Sequence, residues 1–240
     1  MSFSGFPKDM LVFLHENKLK NSKAYYSEHR NDYKIKVYEP LTLFIEEMAS
    51  TLRKIDNEIC LIPRSCISRI YRDTRFSKDK TSIYRDNVWV TFKCSSRNWV
   101  EAPCFYFEVL QSSFRYGMGF YSASPHTMSM YRNFISENTA EFRKAVNKLK
   151  ILYSETEHYK KKYQNQSLND LKDWYSCKNV HITKEITDMS SLYDGTFVSD
   201  VKKAYKESAD LYNILKSLLL YPKEDIIDNS IPVNNIKFEW

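Results

Sequence analysis

The stretch FYFEVLQSSFRYGM, residues 105–118, decides the fold, because its large apolar side chains alternate with other residues on both sides of a short polar turn. Phenylalanine, tyrosine, valine and methionine occupy every second position from 105 to 109 and again from 114 to 118. A period of two places alternate side chains on opposite faces of a strand. The stretch therefore predicts two antiparallel strands joined by a turn.

The same alternation is found upstream of this stretch. Residues 88–93, VWVTFK, alternate in the same way, and so do residues 66–71, CISRIY, which predict a strand from Ile67 to Tyr71. Four strands that follow one another along the chain favour a mainly antiparallel sheet of meander type.

The chain on both sides of the predicted sheet has a helical period. The predicted helices are a short one opened by Pro7, one from Lys23 to about Val37 with a cap at Asn21 or Ser22, one after Pro40, two within residues 127–151 that break near Asn138, and one from Val198 to Leu220. The sequence thus predicts an α+β fold, in which a mainly antiparallel sheet from the middle of the chain packs with N-terminal and C-terminal helices. We expect one domain over residues 1–220 and a polar C-terminal tail over residues 221–240.

The composition excludes several classes of protein. Only 4 of the 240 residues are glycine, so no glycine-rich phosphate loop of the Walker or Rossmann type can be assembled. The five cysteines form no Cys-x-x-Cys pair and the five histidines are scattered, which predicts reduced thiols, no metal site and no cofactor. No apolar run reaches the length of about 18 residues that a membrane span needs, so we expect a cytoplasmic protein without membrane partners.

Positive charge is concentrated in the segment RSCISRIYRDTRFSKDKTSIYR, residues 64–85. It has seven cations against two acids, a net charge of +5, whereas the whole chain carries +6. The rest of the chain is therefore close to neutral, and the positive field is focused in one place. If the strands are placed correctly, residues 73–86 form a long connection between them, and connections of this length are usually functional or disordered.

Arginine forks and lysine point charges are the side chains that bind phosphate and carboxylate oxygens, and aromatic neighbours can stack on a ring. The sequence predicts that an anionic ligand, phosphorylated or nucleotide-like, binds to this segment. The predicted ligand-binding residues are Arg69, Arg72, Asp73, Arg75, Phe76, Lys78, Lys80 and Tyr84. An internal network of ion pairs, with acids such as Asp86 as partners, is the structural alternative.

Two acids bracket the strand predicted at residues 105–109. Glu101 and Glu108 could serve as acid or base beside the cations, and they could equally be ion-pair partners. Three functional hypotheses stay open at this point: a protein that binds a phosphorylated small molecule or nucleotide, a nucleic-acid-binding protein, and a phosphoester-processing enzyme. A purely structural role is a fourth.

The segment ISRIYRDTRFSKDKTSIYR resembles the signature of a bacterial and fungal family, domain of unknown function 2461. The resemblance extends to FSGFPKDMLVFLHENKLKNSKAYYSEHRNDYK near the start of the chain, and to APCFYFEV and GMGFYSASPHTMSMYRNFI in its middle. It covers residues 3–150 and continues more weakly to about residue 220. Membership of this family implies an α+β domain and assigns no reaction.

Overall fold

The computed structural model describes residues 3–75, 78–94, 100–154, 158 and 170–220. It has an α+β fold built around a five-stranded sheet with the strand order β1-β2-β3-β5-β4, in which every neighbouring pair is antiparallel. The strands are β1 (Val88–Phe92), β2 (Pro103–Val109), β3 (Phe114–Phe120), β4 (Tyr153–Ser154) and β5 (His181–Ile186).

Helices precede and follow the sheet along the chain. The N-terminal helices are α1 (Asp9–Lys20), α2 (Lys23–Glu28), α3 (Arg30–Tyr33), a π turn (Lys34–Tyr38), α4 (Glu39–Ile55) and the short α5 (Pro63–Cys66). The later helices are α6 (Pro125–Glu137), α7 (Thr139–Val146), α8 (Lys172–Ser176), α9 (Ser190–Asp194), α10 (Phe197–Glu207) and α11 (Ala209–Ser217), followed by a 3-10 turn (Leu218–Leu220). Within the described ranges no helix is long and apolar enough to cross a membrane.

The helices cover the apolar face of the sheet. The rings of Phe44 on α4 and Phe107 on β2 have centroids 4.6 Å apart, and Tyr205 on α10 lies 4.7 Å from Phe105. The opposite face carries the other residues of the alternation, so Trp89, Glu108 and Arg115 lie side by side on β1, β2 and β3. The alternation therefore separates an apolar face from one with mixed side chains, although β2 and β3 are buried on both faces over most of their length.

Several elements predicted from the sequence are confirmed by the structure. Strands β1, β2 and β3 contain the predicted residues, and Ser22 caps α2 by accepting a hydrogen bond at its Oγ from the Tyr25 N–H. The break at Asn138 separates α6 from α7 as predicted.

The prediction of a regular strand from Ile67 to Tyr71 is wrong. Ile67 forms an isolated bridge with Val90, and Tyr71 forms one with Tyr84, but the pairing between these two bridges is interrupted. Between the two bridges the strand has three residues on one side and five on the other, so the register shifts by two residues. Within this irregular stretch the Trp89 N–H donates to the Ser68 Oγ at 3.0 Å. The segment is extended but lies outside the five-stranded sheet.

The sequence reading also missed β5 and drew some helices too long. The predicted helix from Lys23 to Val37 is divided at His29 and ends in the π turn, and the predicted helix over residues 198–220 is divided at Ser208. The Ser208 hydroxyl donates to the Ala204 carbonyl, a side-chain hydrogen bond that competes with the helical ladder. The predicted tail, residues 221–240, lies outside the described residues.

Candidate functional site

Residues 70–75 and 78–85 of the cationic segment form the two arms of a hairpin, which we call the cationic hairpin. Two main-chain hydrogen bonds close its base: Arg72 N–H donates to the Ile83 carbonyl at 2.9 Å, and Arg85 N–H donates to the Ile70 carbonyl at 3.0 Å. These bonds flank the bridge between Tyr71 and Tyr84. The connection is therefore shorter than the predicted span of residues 73–86, because its ends pair with each other.

The turn between α1 and α2 holds the hairpin from the side. The Asn21 amide donates to the Thr81 carbonyl at 2.8 Å, and its oxygen accepts the Ile83 N–H at 2.9 Å. Asn21 has a φ of 46°, a left-handed conformation that asparagine tolerates better than most residues. An N-terminal turn therefore fixes the position of a loop some 60 residues later in the chain.

Two aspartates organise the hairpin from within. Asp73 accepts two hydrogen bonds from the Arg75 guanidinium, at 3.0 and 2.6 Å, which hold the pKa of that carboxyl well below its usual range. Asp79 accepts from the hydroxyl and N–H of Thr81 and from the Arg72 guanidinium at 3.2 Å, and these contacts lower its pKa to about 2. The ion-pair alternative thus holds for Arg72 and Arg75.

Arg85 lies at the base of the hairpin and is positioned without an ion pair among the described residues. Its Nε donates to the Tyr71 carbonyl at 3.1 Å, and its guanidinium lies over the Trp89 ring, 4.5 Å from the centroid. Burial and then the positive charges of Arg72 and Arg69 lower the pKa of Arg85. Like charges have therefore been brought together here, and we call Arg69, Arg72 and Arg85 the arginine cluster.

Other cations of the segment are exposed. In the part of the chain that the structure describes, Arg69, Lys78 and Lys80 form no hydrogen bond or ion pair with a side chain. The acids that could have neutralised them are used elsewhere, since Asp86 pairs with Lys18 of α1 at 2.6 Å. The positive charge of the segment is thus only partly compensated.

The predicted site contains two aromatic residues, Tyr84 and Phe76. Tyr84 is fully buried and packs against Tyr71 and Tyr26, with ring centroids 5.0 and 5.5 Å away, so it anchors the hairpin to the core. We give Tyr84 a packing role for that reason. Phe76 lies outside the described residues.

The two glutamates of the predicted site lie at opposite ends of β2. Glu108, 8% exposed, accepts from the Arg115 Nε at 2.6 Å and from the Asn87 amide at 2.7 Å, so both of its oxygens are already bonded. Glu101 precedes β2 at the other end of the sheet, about 20 Å along the strand from Glu108. The structure thus brings Glu108 near the cluster, in an ion pair with Arg115, and leaves Glu101 apart.

A second polar cluster lies at that far end of the sheet. Asp56, Glu58 and Cys94 have side-chain donor atoms within 4.8 Å of one another, the spacing of metal ligands. The Lys216 ammonium bridges the two carboxylates at 2.6 Å each, and Tyr212 donates to Asp56 at 2.7 Å. An internal cation therefore satisfies these acids, and we assign the cluster a structural role that ties α11 to the end of α4.

The sequence reasoning missed three residues of the site, namely Tyr71, Arg85 and Trp89. Arg85 was counted among the cations but not placed in the site, because its contacts depend on the register of the hairpin. Trp89 gave a usable signal, since it is the large aromatic residue on the outward side of the β1 alternation. Tyr71 is 42% exposed beside the cluster, which an alternation pattern alone does not reveal.

Comparison with known proteins gives one family. No curated protein matches the chain. The family model described as "Conserved hypothetical protein (DUF2461)" matches residues 9–213, a range that includes every helix and strand from α1 to α10 and the whole cationic hairpin. The chain belongs to the DUF2461 family.

Proposed function

We propose that this protein binds a phosphorylated small molecule at the arginine cluster. The observation that carries the proposal is the placement of Arg85 by the Tyr71 carbonyl and the Trp89 ring beside the exposed Arg69, while neither Arg69 nor Arg85 forms an ion pair among the described residues. Burial, and after it the positive charges of Arg72 and Arg69, lower the pKa of Arg85. Clustered like charges cost stability unless an anion lies between them. A phosphate offers oxygens that several guanidinium forks can share.

The geometry of the hairpin suits recognition of a small ligand. Arg85 is held by the Tyr71 carbonyl and the Trp89 ring, so its guanidinium needs little ordering when a ligand binds. Asp79 and Asn21 fix the other side of the hairpin in the same way. A preorganised cation loses less conformational entropy on binding than a free lysine does.

The distribution of charge favours a small anion over a nucleic acid. A nucleic acid presents a row of phosphates, and a protein that follows it needs a continuous basic stripe. Here one 22-residue segment carries +5 of the total +6. Binding to nucleic acid is the outcome that would replace our proposal in the experiment below.

An enzymatic reaction is not part of the proposal, because the glutamate nearest the cluster is engaged. Glu108 accepts one hydrogen bond at each oxygen, from Asn87 and from Arg115, and its ion pair with Arg115 gives it a structural role. For the cellular location we propose the cytoplasm, where the five cysteines, all free in the structure, would stay reduced.

The test is a thermal-shift titration of the full chain with inorganic phosphate, pyrophosphate, ribose 5-phosphate, AMP and ATP, at constant ionic strength. A ligand at ten times its Kd should stabilise the protein by about 1.4 kcal/mol and raise the Tm by about 3 to 6 °C. The variants Arg69→Gln and Arg85→Gln should lose this increase. Arg143→Gln is the matched control, because Arg143 pairs with Asp170 and lies outside the hairpin.

Each outcome decides for or against the proposal. A Tm increase that disappears in both cluster variants and persists in Arg143→Gln supports it. No increase with any of the five anions, or an increase that all three variants retain, overturns it. A single-stranded oligonucleotide that binds while the five anions do not, with an affinity that falls steeply with salt, identifies a nucleic-acid-binding protein instead.

A further inference from the structure

A cleft of about 620 Å³ lies along the outward side of the chain from α2 to the π turn, and we call it the tyrosine cleft. Aromatic, polar and charged residues line it: Tyr26, Tyr33, Tyr38, Ser27, Asn31, Arg30, Lys34 and one acid, Glu28. Single π turns inside helical segments are often associated with functional sites. The π turn Lys34–Tyr38 contributes both of its end residues to this cleft.

The tyrosine cleft adjoins the arginine cluster. The Tyr26 ring forms one wall of the cleft and packs edge-on against Tyr71 of the cationic hairpin, with centroids 5.7 Å apart. The Tyr71 carbonyl in turn accepts a hydrogen bond from the Nε of Arg85, a member of the cluster, at 3.1 Å. Tyr71 therefore connects the cleft with the cluster.

The cleft offers the contacts that an aromatic base needs. Tyrosine rings provide stacking faces, and the exposed part of Tyr71 extends this surface towards the cluster. Arg30 is exposed and pairs with no acid in the described ranges, so its guanidinium is available for stacking or hydrogen bonding. Asn31 adds an amide that can both donate and accept.

We infer that the tyrosine cleft receives the aromatic base of a mononucleotide whose phosphate is bound by the arginine cluster, an inference that rests on the proposed function. A single ribose separates the base of a mononucleotide from its 5′-phosphate, and a single residue, Tyr71, separates the cleft from the cluster: its ring contacts Tyr26 and its carbonyl oxygen contacts Arg85. A sugar phosphate would use the cluster alone and leave the aromatic walls without a partner. The ligand class is thus narrowed from phosphorylated molecules to nucleotides.

The test compares ligands that differ only in the base. Isothermal titration calorimetry gives the Kd of the full chain for AMP, GMP, CMP, UMP and ribose 5-phosphate. At least one nucleotide should bind five- to about a hundredfold more tightly than ribose 5-phosphate, which is the range expected for stacking of one base. Tyr71→Leu should reduce that ratio at least about fivefold and leave the Kd of ribose 5-phosphate unchanged. Arg69→Gln should weaken both classes of ligand.

The control variant changes a tyrosine that lies away from the tyrosine cleft and the arginine cluster. Tyr121→Leu removes an exposed tyrosine from the far end of β3 and should leave every Kd unchanged. Equal affinity for all nucleotides and for ribose 5-phosphate would overturn the assignment of the cleft and leave phosphate binding in place. An equal loss for both ligand classes in Tyr71→Leu would also overturn it. If no ligand binds the wild-type protein, the proposed function falls together with this inference.

Discussion

Replacement of Asp56 by asparagine removes the negative charge at the centre of the cluster that joins α4 to α11. The Asp56 side chain is 6% exposed and accepts hydrogen bonds from Lys216 at 2.6 Å and from Tyr212 at 2.7 Å. Loss of one partner of a buried pair costs about 3–5 kcal/mol. Lys216 is 33% exposed and keeps Glu58, so we expect Asp56→Asn to cost less, about 2–3 kcal/mol of unfolding free energy.

The pKa of Asp56 gives a similar magnitude. Burial opposes its ionisation, but the hydrogen bonds from Lys216 and Tyr212 outweigh burial and lower the pKa from 3.8 to about 2. The difference between these pKa values is equivalent to about 2 kcal/mol of unfolding free energy. Because the pKa is lower in the folded protein, this stabilisation is complete well above pH 4 and is lost as the pH falls through about 2.

The assay is urea unfolding of the wild-type protein and of Asp56→Asn at pH 7, 5 and 3. The two free energies should differ by about 2–3 kcal/mol at pH 7, and about half of this difference should be gone at pH 3. Asp210→Asn is the matched control, because Asp210 also lies on α11 but pairs with Lys148 at the surface, and it should cost less than about 1 kcal/mol. A difference below 1 kcal/mol at pH 7, or one that is the same at pH 7 and pH 3, would refute the reasoning.

Two further predictions concern the arginine cluster and the contact between β3 and β5. In urea unfolding, Arg69→Gln should change the unfolding free energy by less than about 0.5 kcal/mol at 20 mM salt, because it relieves repulsion on Arg85 but also removes attraction to Asp73. A loss above about 1 kcal/mol would contradict this. Gly117→Ala should cost at least about 2 kcal/mol of unfolding free energy in the same assay. The reason is that a Cβ at this position would overlap the Ile182 carbonyl oxygen and lie 2.8 Å from the Tyr106 ring. A variant as stable as the wild-type protein would contradict this prediction.

The sheet could be predicted because its pattern is local. In β2 and β3 the large apolar residues that alternate in the sequence lie together on the face that the helices cover, and the residues between them lie on the other face. Strand β5, HITKEI, was missed because only part of its alternation is apolar and its partners lie some 60 residues earlier on β3. Because β5 is fixed in place by its pairing with a distant strand, its own six residues need not show a complete apolar alternation.

The cationic segment could be found from its charge, but its partners could not. The sequence shows that Asp73 and Asp79 are near in number to the cations, and both do pair with cations of the segment. It does not show that Asp86 is used by Lys18, or that Glu108 is used by Arg115. Which cations remain uncompensated is decided by contacts between residues far apart in the chain.

The cationic hairpin combines a firmly anchored base with a net positive charge, because its two aspartates pair with only two of its cations, Arg72 and Arg75. Tyr84 is buried in the core, and Asn21 holds the hairpin from outside with two hydrogen bonds. These contacts stabilise the backbone independently of the charges, so the repulsion around Arg85 can be tolerated without unfolding of the hairpin. A loop that needed ion pairs for its own stability would have to give them up when a ligand binds. The anion that we propose would bind without breaking the contacts that hold the base, and this separation of anchoring from charge supports the proposed binding site in the hairpin.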